Sequence, residues 1–207
     1  MRRFLERARE TLEGLDPEAL ARALEVLAET RAGGGRLFCL GSGGGAGHAS
    51  HAACDFRKLA GFEAYCPTDN VSELTARIND EGWAGSLATW LEGSRLGPRD
   101  CLLVLSVGGG SEDPPVSENL VRAVALARQR GARVVAIVGR DGGYAGAHAD
   151  ACVRVPVVDP QLVTPLTESF QALVWHLLVS HPRLQVHPAR WESVAPGPSS
   201  PPEASAS

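Results

Sequence analysis

The chain has 207 residues, 44% of them hydrophobic, and a formal charge of -4. That length allows one domain with a sizeable core, and the charge leaves no basic stripe for nucleic acid. No apolar run approaches the roughly 20 residues of a membrane span, so neither nucleic acid nor membrane is an expected partner.

The N-terminus, Met1-Arg-Arg-Phe-Leu-Glu-Arg7, turns charged too soon for a secretory signal. Helices are expected over 2–13 and 17–31, broken at Gly14-Leu-Asp-Pro17, where Asp16 can cap and Pro17 can open the second helix. Leu20, Leu24 and Leu27, with Ala23 and Ala28, form an apolar stripe ahead of the first strand. We expect the sheet to leave no room for that stripe, so that it packs subunits together. After Gly33-Gly-Gly35 strands and helices alternate: strand 36–40, helix 47–59, strand 62–66, helices 71–79 and 83–93, strand 101–106, helix 117–130, strands 133–138 and 152–156, helix 161–180. The apolar run Val134–Val138 suits a strand buried on both faces. This order predicts an α/β fold with a doubly wound parallel sheet flanked by helices. Ligands of such sheets bind beyond the C-terminal strand ends, where the strand order reverses. Residues 1–192 read as one domain with an N-terminal helical extension. Residues 193–207, rich in Pro, Ser and Ala, read as a disordered tail. The five cysteines contain no CxxC pair and read as reduced thiols of a cytoplasmic protein.

Two strands run directly into glycine-rich polar turns that lead toward helices: Arg36–His48 with Gly41-Ser-Gly-Gly-Gly-Ala46, and Cys101–Ser111 with Ser106-Val-Gly-Gly-Gly-Ser111. Such a turn presents backbone N–H groups at a helix N-terminus, where the dipole favours an anion. Two of them suggest a compact phosphorylated or otherwise anionic ligand. The first turn satisfies G-x-G-x-x-A, and Glu63 lies where a ribose-binding acid would fall. A dinucleotide is disfavoured, because Glu63 sits inside its strand and the following helix carries His48, His51 and Asp55. No Gly-Lys-Ser/Thr follows, which removes the P-loop.

The stretch Gly41-Ser-Gly-Gly-Gly-Ala-Gly-His-Ala-Ser-His51-Ala-Ala-Cys-Asp55 resembles the signature of the sugar isomerase (SIS) domain family, and within it the phosphoheptose isomerases. Leu74-Thr-Ala-Arg-Ile-Asn79-Asp80 is similar to their Leu-Thr-Ala-x-x-Asn-Asp segment. Thr164, Glu168, Gln171 and His176 keep the spacing of their last active-site helix. The resemblance spans about residues 1–181 and implies a flavodoxin-like sheet, with N-terminal helices packing a homotetramer whose sites lie at subunit boundaries. It implies a ketose–aldose isomerase that converts sedoheptulose 7-phosphate to a D-glycero-D-heptose 7-phosphate through an ene-diol or ene-diolate. Asp55 would be the base and His176 the acid/base. Substrate contacts would come from Ser42, Gly43, Gly44, Asn79, Asp80, Ser106, Gly108, Gly109, Gly110, Ser111 and Glu168. His51, Asp55, Glu168 and His176 would hold a divalent metal, zinc by donor type.

The chain departs from the family pattern. The usual Ser-Thr-Ser-Gly-Asn-Ser loop loses two hydroxyls at Val107 and Gly108, and Glu112-Asp-Pro-Pro115 is inserted after it. Either Ser111 or Ser117 could replace the hydroxyl that opens the next helix. Asp55 stands for the family's glutamate and Glu168 for its glutamine. Simpler roles also exist: Asn79 and Asp80 as helix-end caps, Glu168 as a dipole partner behind a Thr164 cap, His176 as a buried core histidine. His48, His181 and His187 suit the surface. The alternative to an enzyme is a non-catalytic SIS module that binds a sugar phosphate or a protein in a regulatory role.

Overall fold

A computed structural model describes residues 1–189; the tail expected at 193–207 lies outside the described residues. Helices α1 (Arg2–Glu13) and α2 (Pro17–Ala32) precede β1 (Leu37–Gly41), α3 (Gly44–Lys58) and β2 (Ala64–Tyr65). Then come α4 (Val71–Glu81), α5 (Ser86–Gly93), β3 (Cys101–Ser106), α6 (Glu118–Arg130), β4 (Arg133–Val138), α7 (Gly143–His148), β5 (Ala151–Arg154) and α8 (Val163–Val179). The strands form one parallel sheet in the order β2-β1-β3-β4-β5, with Leu37 opposite Cys101 and Leu102 opposite Val134. The order reverses between β1 and β3, and both glycine turns leave the sheet there. This is the doubly wound, flavodoxin-like arrangement that the alternation predicts.

Strand pleating divides the core. Leu37, Cys39, Leu103, Leu105, Val135 and Ile137 face α2, α3 and α8, whereas Phe38, Leu40, Leu102, Val104, Val134 and Ala136 face α5 and α6. Continuous apolar strands are what a sheet covered on both faces requires. At the strands' N-terminal ends, Asp100 accepts from the Arg36 backbone N–H, from its Nε at 3.1 Å and Nη2 at 2.7 Å, and from Gly97 N–H. Burial pushes the Asp100 carboxyl up, but these hydrogen bonds outweigh it and hold the group below the usual carboxylate range.

Asp16 caps α2 as its sequence predicts, accepting from Glu18 N–H at 2.9 Å. Four expectations need correction. The α2 stripe does find room on the sheet: Leu24 and Leu27 are buried in the core and α2 packs on β4 and β5. It is α1 that leaves Phe4, Leu5 and Leu12 exposed. Helix α3 begins at Gly44 rather than 47, so the first turn is tighter than expected. Helix α7 is unpredicted, because two glycines and only six residues leave little helical signal. Thr164 does not cap α8; the helix starts at Val163 after a 3₁₀ turn at Pro160–Leu162. Among the described residues, no helix is long and apolar enough to cross a membrane.

Candidate active site

The tight first turn follows from its glycines. A Cβ on Gly41 would lie 2.2 Å from the backbone of Gly45, and one on Gly45 would lie 2.4 Å from the Leu105 carbonyl oxygen. The first turn of α3 therefore rests directly on the ends of β1 and β3. From that start α3 runs against α8, and the i,i+4 spacing of His51 and Asp55 puts both on the facing side.

Asp55 and the two imidazoles converge there. His51 Nε2 lies 3.8 Å and His176 Nε2 3.7 Å from Asp55 Oδ2, and one ligand atom from each of the three residues lies within 4.8 Å of the others. His176 Nδ1 lies 2.7 Å from the Ala172 carbonyl oxygen. A carbonyl only accepts, so Nδ1 carries a proton and Nε2 is the ring nitrogen on the Asp55 side. The buried Trp175 ring packs edge-on against His51, with centroids 4.8 Å apart, and lies beside His176. Side-chain exposure is 60% for His51, 48% for His176 and 17% for Asp55, so the cluster opens onto the protomer surface. His176 is thus not a buried core histidine: its neighbours Leu173 and Leu177 also face outward.

The donor set fits a divalent ion. Two imidazole nitrogens and a carboxylate oxygen are zinc ligand types, and the Asp55–imidazole spacings of 3.8 and 3.7 Å lie a few tenths above the ~3.4 Å between neighbouring ligands on one tetrahedral ion. Glu168 does not belong to this cluster, contrary to the expected ligand set. It lies eight residues before His176 on α8, and its carboxylate sits over Gly44, where an added Cβ would meet Oε1 at 2.5 Å. Two turns of helix separate the two positions, and α8 runs alongside α3, so Glu168 covers the N-terminus of α3 instead.

The second turn is held from behind. Tyr144 N–H donates to Gly110 O at 2.8 Å and Ala145 N–H to Gly109 O at 2.9 Å, so these carbonyls receive the first amides of α7. Gly109 and Gly110 adopt φ of +73° and +81°, and a Cβ on Gly109 would meet the Gly142 oxygen at 1.8 Å. Gly109 N–H is already taken by Ser106 Oγ at 3.0 Å, which removes it as a free donor but leaves the Ser106 proton available. Ser111 and Val116 exchange backbone hydrogen bonds of 2.9 and 3.0 Å, closing the inserted Glu112–Pro115 into a hairpin with both acids exposed. The Ser111 hydroxyl donates to the Asp113 carbonyl at 3.1 Å. Ser117 is the N-cap residue of α6, in left-handed conformation, and its hydroxyl makes no capping bond. Ser42 Oγ accepts from Asn119 Nδ2 at 3.1 Å, a link between the two turns that no motif predicts.

Asn79 and Asp80 do not reach the cluster within one protomer. They lie exposed on the last turn of α4, which packs on α5, and Asn79 Nδ2 donates to Asp80 Oδ1 at 2.7 Å. Arg57 donates to the Ala64 carbonyl at 3.0 Å and covers the Tyr65 ring, and Gln171 donates to the Ile137 carbonyl at 3.2 Å. Both are bound up in structure. In the sequence Asn119 appears only within Val116-Ser-Glu-Asn119, which resembles the family's usual helix start, and its contact with Ser42 leaves no trace there; Trp175, an aromatic on a core helix, carries no spacing signal.

This combination of fold and turns matches known proteins. The SIS domain family model matches residues 1–139. Lincomycin biosynthesis protein LmbN of Streptomyces lincolnensis is 38% identical over 178 residues, 81% of this chain; the chain spans only 63% of that relative. Phosphoheptose isomerase of Rhodospirillum rubrum is 33% identical over 77% of this chain and 82% of its own length. Among solved structures, phosphoheptose isomerase GmhA from Neisseria gonorrhoeae superposes with a TM-score of 0.74 at 27% identity, covering 86% of this chain and 93% of that one. The chain belongs to the SIS domain family. Its relatives within that family include proteins named phosphoheptose isomerases from several bacteria.

Proposed function

We propose that this protein is a ketose–aldose isomerase of sugar phosphates, with sedoheptulose 7-phosphate as substrate and a D-glycero-D-heptose 7-phosphate as product. The observation that carries this reading is the convergence of His51 and Asp55, about two and three turns along α3, with His176 of α8. Isomerisation moves one proton between adjacent carbons and another between their oxygens. Asp55, the least exposed of the three, is the carboxylate base that takes the carbon-bound proton and leaves an ene-diolate. His176 holds Nε2 toward the same space and carries the proton between the oxygens there, with Nδ1 fixed on Ala172. His51, Asp55 and His176 are also the donors that would hold a divalent ion, zinc by donor type; with Nε2 then a ligand, the ion would supply Lewis-acid polarisation of the sugar's oxygens in place of the His176 proton transfer.

The phosphate belongs at the second turn. Glu168 places a carboxylate over the N-terminus of α3, which repels a second anion, whereas the start of α6 has Ser106 and Ser117 hydroxyls free to donate. Phosphate bound there anchors the sugar at a distance from the reacting carbons and orients it.

The open face of the cluster supports a homotetramer with subunits closing one another's sites, because acid–base chemistry needs water excluded. Phe4, Leu5 and Leu12 of α1, and Leu173 and Leu177 of α8, supply uncovered apolar surface for such packing. We place the protein in the cytoplasm, on five thiols of which none is paired.

Two measurements test the function. Incubation with sedoheptulose 7-phosphate, with and without added zinc, should yield aldose phosphate; no product under either condition would overturn the isomerase. Elemental analysis should show metal in wild type and none in His51→Ala/His176→Ala, whereas equal content would remove the metal. The regulatory reading draws on the two missing loop hydroxyls and on the engaged Ser111; it predicts binding of the sugar phosphate without turnover.

A further inference from the structure

The buried face of α6 is Leu, Val and Ala at every position but one, Asn119, which is fully buried in the first turn. Asparagine favours neither helix nor burial, so a bare amide there is costly unless its bonds compensate. Its Nδ2 reaches Ser42 Oγ at 3.1 Å, across 77 positions of sequence, while its buried Oδ1 has no partner among the described residues. Packing alone would be served better by leucine or valine. The hydrogen bond to Ser42 is what the amide contributes.

That contact dictates what Ser42 can do. A hydroxyl has one proton and two acceptor sites. With Nδ2–H occupying an acceptor site, the Ser42 proton remains to be donated elsewhere. Ser42 follows β1 directly, beside β3, so its hydroxyl is drawn from the first turn to the start of α6. In the first turn of α6, Leu120 N–H donates to Ser117 O at 2.9 Å, while the Glu118 and Asn119 amides have no acceptor among the described residues.

We propose that Asn119 is a positioning residue for phosphate: it holds Ser42 Oγ at the N-terminus of α6 with the Ser42 proton directed to a phosphoryl oxygen. This rests on the reading that the second turn takes a sugar phosphate. Asn119 itself touches no substrate. It makes Ser42, a residue of the first turn, part of the cradle of the second, and supplies a donor where Val107 and Gly108 have removed hydroxyls.

The test measures the affinity of the purified full-length protein for inorganic phosphate by calorimetry, and KM and kcat for sedoheptulose 7-phosphate. Ser42→Ala and Asn119→Ala should each weaken phosphate binding and raise KM about 10-fold, with kcat changed less. In a Ser42→Ala background Asn119→Ala should add little. Asn119→Asp, close to isosteric, accepts only, so it draws the Ser42 proton to itself and sets a charge beside the anion; its loss should be larger, about 100-fold. Should Asn119→Ala melt below the assay temperature, the phosphate titration of Asn119→Asp carries the comparison alone. Wild-type phosphate affinity in the Asn119 variants, or an equal Asn119→Ala effect with and without the Ser42 hydroxyl, overturns the inference. A wild type that binds phosphate but leaves the ketose phosphate unchanged overturns the isomerase reading instead.

Discussion

The two glycine turns are almost the same in composition and differ in what their glycines permit. In the first, Gly41 and Gly45 let a helix begin on top of two strand ends, with backbone only 2.2–2.4 Å from where their Cβ atoms would stand. In the second, Gly109 and Gly110 bend through positive φ so that their carbonyls meet the amides of α7. The first is a packing junction that aims α3, and with it His51 and Asp55. The second is a shaped loop that keeps the start of α6 open. Glycine richness alone distinguishes neither role; the neighbour that crosses each turn does.

The comparison can be broken at several points. The largest effect belongs to the first turn. Gly41→Ala drives a methyl into backbone that cannot move without displacing α3, so we expect no folded protein at 25 °C, read as loss of a cooperative thermal transition. A normal melt for this variant would show that α3 does not rest on the strand ends. Next is the chemistry that α3 carries. Asp55→Asn should keep the fold and cost about 10²–10⁴-fold in kcat, measured as aldose phosphate formed per enzyme. A near-normal rate would mean that another group takes the carbon-bound proton.

At the far end of the same strands, Arg36 and Asp100 pin β1 to β3. Asp100→Ala should cost about 3 kcal/mol in denaturant titration, because the Arg36 and Gly97 backbone N–H groups lose their acceptor and the guanidinium, still bound to the Ser94 and Arg95 carbonyls, loses its counter-charge. The pH dependence has a definite sign. Since the folded Asp100 pKa is depressed, its stabilisation is complete above the unfolded value, about 3.9, and is lost as pH falls through the folded value. Wild-type melts should therefore fall across this acid window, and Asp100→Asn should flatten that part of the fall. An unchanged slope would remove the pair as a contributor.

The smallest effects sharpen the contrast. Gly43→Ala has open space, but its φ of +59° with ψ of -126° lies outside left-handed α in a region only glycine adopts readily, so it should cost about 2 kcal/mol. Gly108→Ala has ordinary room, with its nearest neighbour at 3.8 Å, and should leave the melt within about 0.5 kcal/mol. The same Gly108→Ala should raise KM for the phosphorylated sugar, as its methyl narrows backbone approach to the anion. Equal KM in this variant would move the phosphate away from the second turn.

Much of the molecule is legible in its sequence. The apolar runs at 101–106 and 133–138 are strands because only a sheet covered on both faces buries such runs without alternation. Asp16 and Pro17 mark the start of α2 by local bonding alone, and His51 and Asp55 share a face because 3.6 residues make a turn. These are short-range consequences of residue type and period. Only the tertiary structure decided what stands across from them. It set α2 on the sheet rather than leaving its stripe for a partner: Ala23, Leu24 and Leu27 are buried in one core with Val135, Ile137 and Val153 of β4 and β5. It kept Glu168 from the imidazole cluster, since α8 runs alongside α3 and two turns of helix carry Glu168 to Gly44. It joined Asn119 to Ser42, residues 77 positions apart whose meeting depends on the strand order reversing between β1 and β3. Periodicity places side chains on faces; which faces meet depends on how the whole chain closes its core.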